Sequence, residues 1–160
     1  MNQVTSTAIV NAPIARVWET IADVGTIADW HPGVAKSPVL TGHRTGMGAA
    51  RRVELYDGGS SVETVTSLKE GHSVSVTMTD HTMPMSVGIA TFAVEADGDE
   101  RTRVSMTFAY EMKYGPLGWM LNVLMLRGIM VKVTSNTLAG LDHHLLTGEQ
   151  IGKDFKPQAA

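Results

Sequence analysis

The longest uninterrupted pattern in this chain is helical. From residue 117 to about residue 146, Leu117, Met120, Leu121, Leu124, Gly128, Val131, Leu138, Leu141 and Leu145 recur mostly at three- and four-residue steps, the rhythm of a single apolar helix face. A helix of about thirty residues extends about 45 Å, enough to cross a domain. Gly128 and Gly140 are places where it can bend or loosen. The residues before it, from about 35 to 113, read as strands and turns, so this helix is the one element long enough to cover a sheet.

The strands are marked by alternation and by their turns. Residues 4 to 10 are rich in β-branched side chains. AARRVELY and SVETVTSL flank DGG, a hairpin signal. HSVSVTMTD places Val74, Val76 and Met78 on one face. MSVGIATFAVEA and RTRVSMTFAYEMKY flank DGDE, and in the latter Val104, Met106, Phe108, Tyr110 and Met112 share a face. AKSPVLTG suits a sheet edge, because Pro38 cannot donate to a central ladder. Two short helices precede these strands. Asn11 is the expected cap of the first, with Pro13 in its first turn and Ile14, Val17, Trp18 and Ile21 on its apolar face. Thr26 is the expected cap of the second, which Pro32 and Gly33 stop.

The predicted architecture is α+β. A curved antiparallel sheet of about seven strands wraps the long C-terminal helix, with two short helices after the first strand. A sheet with one apolar face needs that face covered, and a cavity remains wherever side chains do not fill the space. Residues 1–147 form one domain, and residues 148–160 are expected to be a polar, frayed tail.

Composition narrows the function classes. The net charge of the 160 residues is -3, and no basic stripe runs through them, so no nucleic-acid partner is expected. The absence of cysteine excludes a thiol nucleophile and thiolate metal sites. The histidines lack ligand spacing, so neither a metal nor another cofactor is expected. The opening MNQVTSTAIV does not read as a signal peptide. GPLGWMLNVLMLRGIMV is interrupted by Asn122 and Arg127, which argues against stable membrane insertion. A cytoplasmic monomer or homodimer is the expectation.

The segment NAPIARVWETIADVGTIADWHPGV, the run TGMGAARRVELYDGG with VETVTSL after it, and the long terminal helix resemble the START-like (SRPBCC) superfamily. More narrowly, residues 3 to about 147 resemble its bacterial polyketide cyclase/dehydrase and lipid-transport branch, related in fold to birch-pollen-allergen and abscisic-acid-receptor proteins. The resemblance implies a helix-grip fold with a deep apolar cavity between sheet and helix. It implies entrance loops at residues 56 to 61, 79 to 86 and 113 to 118. It also places Lys36 where the hormone receptors of this fold carry a ligand-contacting lysine, although YDGGSS lacks their gate proline.

Several residues are candidates for the site. If the hairpin turns on Asp57-Gly58, Arg52 lies opposite Glu63, on one face with Glu54 and Tyr56. On a concave face this pair anchors a ligand carbonyl or carboxylate; on a convex face it is ordinary surface. One residue of register reverses the outcome. Lys36, Arg52, Glu63 and Tyr110 are the polar groups expected to orient a ligand. Met83 and Met85 read as a soft lid, and Leu117, Trp119 and Met120, with Leu124 beyond them, as the opposite rim. Trp30 and His31 read either as an acid-base site or as a structural corner with His31 partly solvated; the corner is the reading adopted.

The expected function is binding or transport of an apolar small molecule: a lipid, polyketide or isoprenoid-like compound. One alternative is a cyclase or dehydratase with Glu63 as base and Arg52 or Tyr110 as oxyanion partner. Another is an interaction module whose Met-rich rim docks a partner chain or a membrane surface.

Overall fold

The computed structural model describes residues 1–158. Strand β1 (Asn2–Val10) leads to helices α1 (Ile14–Ala22) and α2 (Ile27–Trp30). Strands β2 (Val34–Lys36), β3 (Ala50–Leu55), β4 (Ser60–Lys69), β5 (Ser73–Thr79), β6 (Met85–Ala96) and β7 (Thr102–Met112) follow. They form one antiparallel sheet in the order β1-β7-β6-β5-β4-β3-β2. The two short helices carry the chain from one edge of the sheet to the other. β1 then pairs with β7 along its whole length, from Asn2 opposite Tyr110 to Val10 opposite Thr102.

Alternation along the strands sets the inner face. Val104, Met106, Phe108 and Tyr110 of β7 are buried, as their spacing predicts, with Met112 half-buried at the strand end. Thr26 stands at the predicted N-cap position of α2, but neither it nor Asn11 makes a side-chain capping bond. α1 starts after Pro13 without a side-chain cap. The Asn11 amides instead donate to Asp142 Oδ1, at 2.7 Å from the backbone and 3.2 Å from the side chain. Thr26 Oγ1 donates to the Thr20 carbonyl at 2.7 Å and accepts from Trp30 Nε1 at 3.0 Å. These bonds join α1 to α2 and both to the core.

The long helix is continuous in three parts: α3 (Gly115–Leu121), a π-helical turn (Asn122–Leu126) and α4 (Arg127–Thr147). The second half is packed. Leu138, Leu141 and Leu145 are buried, and Ser6 Oγ of β1 meets Thr134 Oγ1 at 2.6 Å. Gly140 is the point of closest approach to α2. A Cβ there would lie 2.3 Å from the Trp30 carbonyl oxygen, so the glycine permits a crossing and is no bend. Trp30, held beneath that crossing, meets Phe92 edge-on at 5.7 Å.

The first half departs from the predicted phase. Gly118 and Asn122 face the fold, while Leu117, Met120, Leu121, Leu124 and Val131 are exposed. Two local facts set this orientation. A Cβ at Gly118 would lie 2.1 Å from the Lys113 carbonyl oxygen, so a glycine fits there. The buried Tyr110 hydroxyl donates to Asn122 Oδ1, which satisfies a polar group that burial would otherwise leave costly. The wider π turn keeps positions four apart (118, 122, 126, 130) on the side that meets the sheet.

The segment after α4 is mostly exposed over residues 148–158, but two of its side chains are anchored. Gly148, at φ 74, ends the helix. Ile151 is buried, and its N–H donates to the Asp29 carbonyl at 2.8 Å. Phe155 lies against His143 at 5.5 Å between ring centroids.

Candidate functional site

The concave face of the sheet and the middle of the long helix do not fill the space between them. A cavity of about 790 Å³ remains. Val53, Leu55, Met78, Met106 and Phe108 line it from the sheet, and Ile129, Met130 and Val133 from the helix. The β3–β4 turn at residues 56–59 and the β5–β6 loop at residues 82–84 also line it, as does Lys153 of the C-terminal segment. The wall is mostly aliphatic and thioether.

Asp57, Ser61, Thr82, Thr134 and Lys153 add polar groups to it, and a buried ion pair is set by the hairpin turn. β3 and β4 are joined through Tyr56, Asp57 and Gly58, with Leu55 N bonded to the Gly59 carbonyl at 2.8 Å. Gly58 has φ 91, the left-handed position that closes a three-residue hairpin loop. The loop is therefore one residue longer than an Asp57-Gly58 turn. The register shifts by one, and Glu63 pairs with Arg51, while Arg52 pairs with Val62. Arg52 accordingly projects from the convex face and lies 3.4 Å from Asp80. The predicted polar pair exists on the concave side, but its arginine is Arg51.

Arg51 is held on three sides. Its Nε and Nη2 donate to Glu63 Oε2 at 2.8 and 2.6 Å, and Nη1 donates to the Val24 carbonyl at 3.2 Å. Arg51 is 3% and Glu63 4% exposed. Glu63 lines the cavity, and among the described residues its Oε1 accepts no hydrogen bond and is not sealed from solvent. One carboxylate oxygen is thus committed to Arg51 and the other is available to a guest.

His31 joins this pair. It lines the cavity and is half-buried, which replaces the reading of Trp30-His31 as a corner alone: Trp30 plugs the base and His31 faces the cavity. Burial, and after it the nearby Arg51 charge, lower its pKa to about 4. Its Nδ1 accepts the Gly33 N–H at 3.0 Å, so the neutral ring carries its proton on Nε2. A neutral imidazole donor and a carboxylate acceptor therefore line the same, largely apolar cavity.

Of the other predicted site residues, Met83 lines the cavity. Met85 is buried beside Gly88 and does not. Tyr110 is wholly buried, its hydroxyl is bound to Asn122, and it does not line the cavity; burial raises its pKa, against a lowering influence from Arg127. Lys36 is exposed at the sheet edge. Trp119, Met120 and Leu124 are exposed on the outward side of the helix rather than at a rim of the cavity. Reading the sequence missed Arg51 and Lys153. Arg51 is recoverable from a three-residue loop ending in glycine, whereas Lys153 carries no sequence signal. Among the described residues, no group of three or more His, Asp and Glu side chains gathers as a metal ion requires.

A curved antiparallel sheet closed by a long C-terminal helix, with an apolar cavity between them, defines a START-like helix-grip domain. The chain belongs to the polyketide cyclase / dehydrase and lipid transport family, whose model matches residues 1–145. The comparison with curated proteins finds no match. Among solved structures, a protein of Thermus thermophilus is similar at TM-score 0.75 and 19% identity, covering 92% of this chain and 99% of its own. A START superfamily protein from Mycobacterium smegmatis aligns at TM-score 0.71 and 18% identity, covering 89% and 98%. The Zhui aromatase/cyclase from Streptomyces sp. R1128 aligns at TM-score 0.67 and 18% identity, covering 94% and 99%. At these identities the likeness is one of fold.

Proposed function

We propose that this protein binds an apolar small molecule that carries a hydroxyl or enol at one end. The observation that carries the reading is the cavity of about 790 Å³, whose largely apolar wall presents Glu63 and His31 among its few polar groups. Its volume falls in the range of about 300–1,000 Å³ found for small-molecule sites. Burial of apolar ligand surface supplies the driving force, about 25 cal/mol per Å² before the costs of association. A hydroxyl is the group that matches these two, because it donates to Glu63 Oε1 and accepts from His31 Nε2–H. A ligand carboxylate meets the Glu63 charge instead. Cytoplasmic location belongs to this proposal.

The test is native mass spectrometry of protein purified from its own host, combined with displacement of a fluorescent apolar probe by long-chain alcohols and the matching acids. The expected result is a bound apolar compound and displacement by the alcohol in preference to the acid. An empty protein that takes up no apolar probe overturns the reading.

A second reading rests on the same two groups. A carboxylate oxygen and an imidazole N–H facing one cavity are what proton abstraction and dehydration of a polyketide-like substrate require. The similarity to an aromatase/cyclase fold supports it. Glu63→Gln then abolishes turnover of such a substrate while probe binding persists.

A further inference from the structure

We propose that the first half of the long helix, residues 114–131, is a reversible docking surface for an anionic lipid membrane. Its outer side is inverted relative to an ordinary surface helix. The residues turned toward the fold include Gly118 and Asn122, and those turned toward water are large and apolar. Leu117 is 56% exposed, Trp119 64%, Val123 53%, Leu124 72% and Met125 62%. In an 18-residue window of Gly115–Thr147 apolar enough to cross a bilayer by composition, 17% is buried. A contiguous apolar surface of this kind marks an interaction site.

Charge identifies the occupant. Between residues 112 and 141 the sequence contains Lys113, Arg127 and Lys132 and no acid, in a chain whose net charge is -3. All three are exposed, and none has a carboxylate within 4.0 Å among the described residues. Apolar side chains with cations among them and aromatic Tyr114 and Trp119 at one end are the features of a helix seated at a headgroup boundary. A second copy of this chain fits less well. A symmetric pair brings these cations toward one another, and the apolar residues emerge on the flanks as well as the crest, which a lipid phase covers and one helix does not. The packed second half, anchored by Leu138, Leu141 and Leu145, keeps the helix in the domain, so docking is interfacial and not spanning. Ile129 is half exposed and also lines the cavity, so the docked surface adjoins the cavity wall.

The experiment is co-sedimentation of the full chain with phosphatidylcholine vesicles with and without phosphatidylglycerol, read together with tryptophan emission. Trp18 and Trp30 are buried, so Trp119 reports contact. The expected result is binding to the anionic vesicles with a blue shift, weakened by salt, and little binding to phosphatidylcholine alone. Leu117→Asp with Leu124→Asp weakens binding by at least about tenfold and leaves probe uptake by the cavity in vesicle-free solution unchanged. Lys113→Glu with Lys132→Glu removes the preference for anionic lipid while leaving the apolar crest in place. Absence of binding, equal binding to both vesicles, binding untouched by the Asp pair, or a stable dimer whose Trp119 is already blue-shifted without lipid each overturns the proposal. Because probe uptake is measured separately, failure of this surface and failure of the cavity reading are told apart.

Discussion

Arg51 places two of its hydrogen bonds on a single oxygen of Glu63, at 2.8 and 2.6 Å, and leaves the second oxygen of this cavity-lining residue without one among the described residues. The pair is almost fully buried. Its members therefore depend on each other energetically in a way that a surface ion pair does not. Removing one partner leaves an uncompensated charge in an apolar setting, while removing both leaves none.

Arg51→Met is accordingly expected to lower stability by about 3–5 kcal/mol, and Arg51→Met with Glu63→Leu to recover most of that loss. Urea unfolding of the four proteins in the cycle measures it. Full additivity of the two single substitutions contradicts the coupling.

Arg52→Ala is the contrasting case. Its 3.4 Å contact with Asp80 is solvent-exposed on both sides, and such pairs contribute about 0–1 kcal/mol. The expected change in unfolding midpoint is small, and probe binding does not change. A large loss of binding means that the register places Arg52, and not Arg51, at the cavity.

His31 gives a signed pH dependence. Its pKa falls from 6.5 to about 4 in the folded protein. The unfolded chain takes up this proton first as pH falls below 6.5, and the folded protein only near 4. The stability associated with the neutral ring is therefore complete above the unfolded value and declines between the two, by up to about 3 kcal/mol. In His31→Gln that part of the slope disappears, which chemical denaturation at a series of pH values detects. An unchanged slope means that His31 titrates normally.

Gly140→Ala places a methyl group 2.3 Å from the Trp30 carbonyl oxygen. Separation of α2 from α4 then costs about 1–3 kcal/mol. Gly128→Ala is the control, since a Cβ there meets nothing within 4 Å, and the better helix former is expected to stabilise slightly. Equal effects at the two glycines, read as thermal midpoints, contradict the close-crossing account.

Met130→Trp adds bulk at the cavity wall supplied by the helix. Probe affinity is expected to fall by about tenfold, or about 1.4 kcal/mol, with helical circular dichroism retained. Undiminished uptake means that the guest sits elsewhere.

The strands were legible because one face of each is buried, so period-two alternation appears directly in Val104, Met106, Phe108 and Tyr110. The helix that covers them was legible from its three- and four-residue spacing, which holds in Leu138, Leu141 and Leu145. Three features were not legible, each for a physical reason. The identity of the buried arginine depends on whether the β3–β4 loop has two or three residues, and DGG permits both. The phase of the long helix depends on a π turn and on Asn122 meeting the Tyr110 hydroxyl, neither of which an ideal helical period contains. His31 acquires its properties from burial and, second, from Arg51, twenty residues away in the chain, and both arise only on folding. Lys36, carried over by likeness to hormone receptors, sits on an edge strand whose outward side faces water.

Ile151 seated beside Asp29, and Lys153 bordering the hollow, make residues 151–153 part of the vessel's wall. Carboxypeptidase trimming past Gly148, or a bulky fusion grafted onto that terminus, would thus alter how long a guest stays inside while the scaffold around it remained intact.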